Sequence, residues 1–164
     1  MPKVNQPKNI IKLLVSVIIC QCAGLIGSIF TTPAIPTWYA TLAKPPFTPP
    51  NWLFAPAWLT LYLLMGISAF IIWLQGIDKR QVRLALIIFA TQLALNTLWS
   101  VVFFGLKSPL YGAMVIIALW ITILFTILNF WKLSKVAGWL LLPYIGWVTF
   151  AAALNISILI LNPS

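Results

Sequence analysis

Gln92, Asn96, Trp99 and Phe103 are spaced i, i+4, i+7 and i+11 along one apolar stretch. At 3.6 residues per turn they share one face of a helix. Ala90 and Ala94 fall on nearly the opposite face, spaced for close helix packing. Two readings stand for this two-sided helix. In one, the polar-aromatic stripe faces a ligand cavity and the alanines face a helix or a subunit. In the other, Gln92 and Asn96 only hydrogen-bond neighbouring helices. Two more stretches carry comparable faces. One presents Trp58, Tyr62 and Met65; the other presents Tyr144, Trp147, Ala151 and Leu154. A pocket built from such faces holds rings and amides but no charge. It suits a flat, largely apolar molecule, bound by stacking and van der Waals contact. Asn96 or a tryptophan N–H then orients one carbonyl of that molecule.

Other chemistry is disfavoured by composition. The chain has no histidine and a single acid, Asp78. That removes the commonest general base, the commonest metal ligand and any carboxylate pair. Cys20 and Cys22 are two apart and point to different sides of a helix, as reduced packing residues. Hydrolases, zinc enzymes and carboxylate-driven pumps lose their usual residues.

The elements that position these faces are membrane spans. Of 164 residues, 62% are hydrophobic and 7% charged, whereas soluble domains carry roughly 25% charged residues. The apolar runs are long enough to cross the ~30 Å hydrocarbon core. The expected spans cover about 10–30, 51–76, 82–105, 110–131 and 136–161. Residues 1–9 are read as a polar tail, and the rest as one transmembrane domain, 10–161. The first run exceeds the ~7–15 residues of a signal core, so it is read as a retained span. Within it, Gly24 with Ser28 and Ala23 with Gly27 form small-xxx-small pairs suited to close helix approach. Pro109 is placed to open the fourth helix. Pro143 lies inside the fifth and permits a kink.

Between the first two spans, at about 31–50, lies a proline- and tryptophan-rich loop. Pro45-Pro46 and Pro49-Pro50 cannot lie inside a helix and favour a stiff extended path. Such a connection reads as a lid, with Thr48 and Asn51 offering N-cap chemistry to the second span. Trp52, Trp73, Trp131 and Trp139 stand at span ends, where aromatic belts form. Trp58 and Trp147 stand about two turns inside, and both cavity wall and core packing remain open for them.

The net charge is +9. With five spans, Lys3, Lys8, Lys12, Lys79, Arg80, Arg83, Lys132 and Lys135 share one side, and Lys44 and Lys107 the other. The positive-inside rule then places the N-terminus in the cytoplasm and the lid outside. These cations attract lipid headgroups, and too little soluble surface remains for a nucleic-acid patch. No internal repeat supports an inverted-repeat transporter.

At these residues the chain resembles the translocator protein / tryptophan-rich sensory protein family, once called peripheral-type benzodiazepine receptors. The resemblance rests on Gly27-Ser28-x-Phe30, Trp38-Tyr39-x-x-Leu42-x-Lys44-Pro45, Pro49-Pro50-x-Trp52 and Pro56-x-Trp58-x-x-Leu61-Tyr62-x-x-Met65-Gly66. It continues through Gln92-Leu93-x-Leu95-Asn96-x-x-Trp99, Phe103-Phe104, Leu142-Pro143-Tyr144-x-x-Trp147 and Leu154-Asn155. It implies an all-α integral membrane protein: a five-helix bundle whose cavity is closed by the first loop. It also implies porphyrin ligands such as protoporphyrin IX, synthetic isoquinoline carboxamides and benzodiazepines, no required cofactor, and a homodimer. By position, the implied pocket comprises Trp38, Tyr39, Trp58, Tyr62, Asn96, Trp99, Phe103, Trp147, Ala151 and Leu154.

Some bacterial members are reported to degrade porphyrin in light and oxygen, which makes Trp58 and Trp147 the candidate catalytic residues. Tetrapyrrole or lipid transport is a third implied role. The cholesterol-recognition segment of animal members is absent. The stretch 153–159 lacks tyrosine, and no Lys or Arg follows Lys135. With the short loops, this looks like a bacterial or archaeal cell-membrane protein.

Overall fold

In hydrocarbon every backbone N–H and C=O must find a partner inside its own segment, so apolar runs of this length fold as helices. The structure, a computed structural model, describes residues 6–163. It contains five helical segments long and apolar enough to cross a membrane. The first is α1 (Pro7–Ala34), with a proline in its first turn. It starts three residues before the apolar run and incorporates Pro33 near its end, so the lid is shorter than the sequence suggests. The remainder of the expected tail, residues 1–5, lies outside the described residues.

The lid is not extended throughout. Trp38–Thr41 form one helical turn, α2, before the chain straightens at Leu42 (φ −73°, ψ 143°). A 3-10 turn at Asn51–Leu53 leads into α3 (Phe54–Trp73). The expected side-chain cap is absent from both. The Thr48 hydroxyl donates instead to the Pro45 carbonyl at 2.8 Å, closing a turn inside the lid.

The third span is α4 (Arg80–Ser100), continued by a π-helical segment at Val101–Gly105. The fourth is α5 (Pro109–Leu133), opened by Pro109 and capped by the Ser108 hydroxyl, which accepts from the Tyr111 N–H. The fifth is broken, as Pro143 allows. Here α6 (Lys135–Leu140) and α7 (Leu142–Leu161) meet at Leu141, and Pro143 sits in the first turn of α7.

This break shapes the bundle. α1 packs broadly against α3 and also against α4; α4 packs on α5, and α5 on α7. The ring closes through α6, which packs on α3, where the Ser68 hydroxyl donates to the Ala137 carbonyl at 2.8 Å. Beyond the break α7 leans on α5 and scarcely touches α3. The bundle is therefore tight at the end bearing Trp73 and Lys135, and splayed at the lid end.

The backbones of α1 and α3 approach closely at Gly66. A Cβ built on Gly66 would lie 2.6 Å from Val17 Cα, so only glycine fits. The small residues of α1 serve differently from expectation. Gly24 faces the Tyr62 ring and Gly27 faces Ser100, while Ser28 is exposed and donates to its own helix at Leu25.

Candidate ligand chamber

At the splayed end α1, α3, the α4–π segment, α7 and the lid enclose a chamber of about 450 Å³. That lies within the usual range for small-molecule sites, roughly 300–1,000 Å³. Its inner wall is aromatic. Phe54, Trp58 and Tyr62 come from α3, Trp99, Phe103 and Phe104 from α4 and its extension, and Trp147 from α7. Ala151, Leu154, Asn155 and Ile158 complete the α7 side, and Tyr39 closes the chamber from the lid.

The rings hold one another at fixed angles. Trp58 stacks on Tyr62 with centroids 5.5 Å apart and turns its edge toward Tyr144 at 6.4 Å. Trp99 stacks on Phe103 at 5.4 Å. Phe54 meets Trp147 edge-on at 6.2 Å. Such pairs contribute about 0.5–1.5 kcal/mol beyond burial, which helps hold the wall rings in place. The π segment matters here. Its wider turn carries both Phe103 and Phe104 into the interior, although they are adjacent in sequence.

The polar-aromatic stripe of α4 divides into two. Its upper half, Trp99 and Phe103, is chamber wall. Its lower half, Gln92 and Asn96, is not on the wall and belongs to a buried network beneath it. The Tyr62 hydroxyl donates to Asn96 Oδ1 at 2.5 Å. Asn96 Nδ2 donates to the Tyr144 hydroxyl at 2.9 Å, which donates in turn to Gln92 Oε1 at 2.8 Å. Asn96 therefore joins three spans through its amide and does not line the chamber. Gln92 Nε2 is buried with no partner among the described residues.

Trp38 does not line the chamber. Its ring packs edge-on to Phe103 at 5.5 Å, from behind the chamber wall. Tyr39 points inward instead; it is buried, its hydroxyl has no partner among the described residues, and Lys44 Nζ lies 4.9 Å from its ring centroid. Burial pushes its phenol above the ordinary tyrosine value. At the back of the chamber, Trp99 Nε1 donates to Asn155 Oδ1 at 3.1 Å, and Asn155 Nδ2 donates to the Pro109 carbonyl at 2.8 Å.

The side that sequence reasoning missed is α1. Gln21, Gly24, Leu25, Gly27, Ser28, Thr31 and Thr32 all border the chamber. Their signal was present as small and polar residues recurring at helical spacing, but such residues equally mark helix packing. Leu25 and Leu59 border the chamber and are also exposed, so the seam between α1 and α3 opens on its outer side. Gln21 Nε2 bridges that seam to the Leu59 carbonyl at 3.1 Å.

A five-span helical bundle with an uncharged aromatic chamber under a proline-rich lid defines a small multi-pass membrane protein with a cavity shaped for an apolar molecule. Comparison with known proteins makes this specific: the chain belongs to the TspO/MBR family, whose profile matches residues 16–161. It is 50% identical to a tryptophan-rich protein TspO of Archaeoglobus fulgidus over 155 residues, 94% of this chain and 99% of that one. It is 44% identical to the protein CrtK of Rhodobacter capsulatus over 88% of each chain. It is 37% identical to the translocator protein of Bos taurus, over 80% of this chain and 79% of that one. The protein is thus a multi-pass membrane protein, and family membership supports a sensor or receptor role.

Proposed function

We propose that this protein is a membrane sensor or carrier that binds protoporphyrin IX-like tetrapyrroles, or other flat hydrophobic molecules such as isoquinoline carboxamides, in the lidded chamber. The observation that carries the reading is the chamber itself. It is a rigid aromatic cavity at membrane depth with an apolar wall and a few fixed polar groups. Apolar area and ring faces supply affinity there, and the hydroxyls and amides at the rim orient the ligand. No cofactor is needed for such binding.

The test is tryptophan fluorescence in nanodiscs titrated with protoporphyrin IX. Saturable quenching is expected, with affinity weakened several-fold by Trp58→Phe or Trp147→Phe. Linear, non-saturating quenching that is identical in both variants contradicts the proposal.

A second reading is favoured by the stacking of Trp58 on Tyr62 at the chamber wall. Two oxidisable rings beside a bound photosensitiser support light- and oxygen-dependent porphyrin breakdown. Catalytic turnover under illumination, absent in the dark and lost on Trp58→Phe/Trp147→Phe, supports it. Stoichiometric bleaching with damaged protein counts against it.

The lysine and arginine bias supports an orientation with the N-terminus in the cytoplasm and the lid outside, and the short loops support a bacterial or archaeal cell membrane. Ala90 and Ala94 lie exposed on the outer face of α4, which suits the subunit contact of a homodimer.

A further inference from the structure

Asn162 closes α7 and reaches across to the lid. Its side-chain amide pairs with the Ala43 peptide in both directions. Ala43 N–H donates to Asn162 Oδ1 at 3.0 Å, and Asn162 Nδ2 donates to the Ala43 carbonyl at 2.9 Å. The same Nδ2 also donates to the Ile158 carbonyl at 2.8 Å, completing the helix end. Capping the helix needs only that last bond. The reciprocal pair does something else: it fixes the direction and register of the lid strand against the end of α7.

The two elements it joins are opposite sides of the chamber. Four residues before Ala43, Tyr39 closes the chamber from the lid. On α7, Leu154 and Ile158 lie on its wall. Apart from this pair, the only ring contact between the lid strand and α7 among the described residues is Phe47 edge-on to Phe150, at 6.2 Å. Phe47 is half exposed, so it holds weakly. Lys44 does not reach α7. Its ammonium turns back to the Ala40 and Leu42 carbonyls, at 3.4 and 3.1 Å.

We infer that Asn162 is the latch that holds the lid shut over the chamber, and so sets how long a ligand stays. The latch rests on geometry; its effect on a ligand rests on the binding role proposed above. Two hydrogen bonds of ordinary net strength at a partly exposed site correspond to roughly a tenfold shift between closed and open lid. The device is uncharged, so its action is independent of pH near neutrality.

Two variants break the latch from opposite sides. Asn162→Ala removes it from α7. Ala43→Pro removes the lid's N–H while leaving Asn162 and the helix end intact, and Leu42 already has the extended ψ of 143° that a following proline requires. The first readout is amide hydrogen exchange without ligand, in nanodiscs. Exchange across residues 42–48 is expected to rise about tenfold in Asn162→Ala while Leu154–Ile158 stays protected. Unchanged exchange in the lid overturns the latch, as does equal loss of protection along α7.

The second readout is the dissociation rate of protoporphyrin IX by stopped-flow fluorescence. Asn162→Ala is expected to release it about tenfold faster, and Ala43→Pro, which removes one of the two hydrogen bonds, about threefold faster. A rate unchanged while lid exchange has risen overturns the latch's control over the ligand. If protoporphyrin IX fails to bind the wild-type protein, the binding proposal falls, and the exchange result still decides whether Asn162 holds the lid.

Discussion

Asn96 is the residue whose sequence signal and structural role diverge most. Its place on the stripe with Trp99 and Phe103 suggests a ligand contact, yet it sits one turn too deep and bonds Tyr62 and Tyr144 instead. Asn96→Leu leaves the buried Tyr62 hydroxyl without its acceptor. The expected cost is about 1–2 kcal/mol, at the lower end for a network inside a bilayer. Unfolding in an SDS titration checks it, and an unchanged midpoint contradicts the network's role. Tyr39 is the opposite case, because its buried hydroxyl has no partner among the described residues. Tyr39→Phe is expected to leave thermal stability unchanged or slightly higher.

Burial raises the Tyr39 phenol in the folded state, so folding favours its neutral form. Its contribution is complete below the unfolded tyrosine value near pH 10 and is lost as pH rises through the higher folded value. Lid exchange in the wild type should therefore rise above about pH 10, beyond the intrinsic rate, and this excess should vanish in Tyr39→Phe. At this scale periodicity put Trp58 with Tyr62, Trp99 with Phe103, and Trp147 with Ala151 and Leu154 on common helix faces, and only the family resemblance assigned them to one pocket; all seven line the chamber. The sequence could not separate wall from underlying network, since periodicity gives the face of a helix but not the depth of the void. Trp38 and Tyr39 could not be told apart either: they are neighbours in one short turn whose orientation depends on tertiary contact with Phe103 and Phe104.

The elements themselves were legible, because hydropathy and length decide spans in lipid almost alone. Their fine structure was less so. The π segment at Val101–Gly105 has no composition that distinguishes it from α-helix, and it decides that Phe104 also points inward. Pro143 announced a disturbance in the fifth span; its consequence emerged only from packing. The break lets α6 close on α3 while α7 stays apart, and the chamber is the space so created. Pro143→Ala restores a backbone donor at the start of α7 and favours a continuous helix. The expected outcome is retained or increased stability with several-fold weaker protoporphyrin IX binding. Unaltered binding contradicts the account of how the chamber opens. At the tight end, Gly66→Leu must push α1 away at Val17. Substantial loss of thermal stability is expected, and tolerance of leucine contradicts the crossing.

For the whole molecule, the asymmetry of charge and the asymmetry of packing coincide. The tight end carries Lys12, Lys79, Arg80, Arg83, Lys132 and Lys135, and the splayed end carries the lid. Lys12 Nζ lies 5.7 Å from the Trp73 ring centroid, as befits a cation beside an interfacial aromatic. In the orientation proposed above, the solid base faces the cytoplasm and the chamber lies toward the outside. In a background of Cys20→Ser and Cys22→Ser, Thr48→Cys should react with an impermeant maleimide added to intact cells, whereas Gln81→Cys should react only after lysis. The reverse pattern inverts the orientation without touching the fold.

The central claim is that one uncharged chamber between α1, α3, α4 and α7 takes up a flat hydrophobic ligand. Ala151 is buried on its wall, so Ala151→Phe fills the space without adding charge or altering the lid. Equilibrium titration with protoporphyrin IX in nanodiscs should show one saturable site per wild-type chain and affinity at least tenfold weaker in Ala151→Phe, with the variant's thermal stability close to wild type. Equal affinity in the two proteins would place the ligand elsewhere and contradict the account.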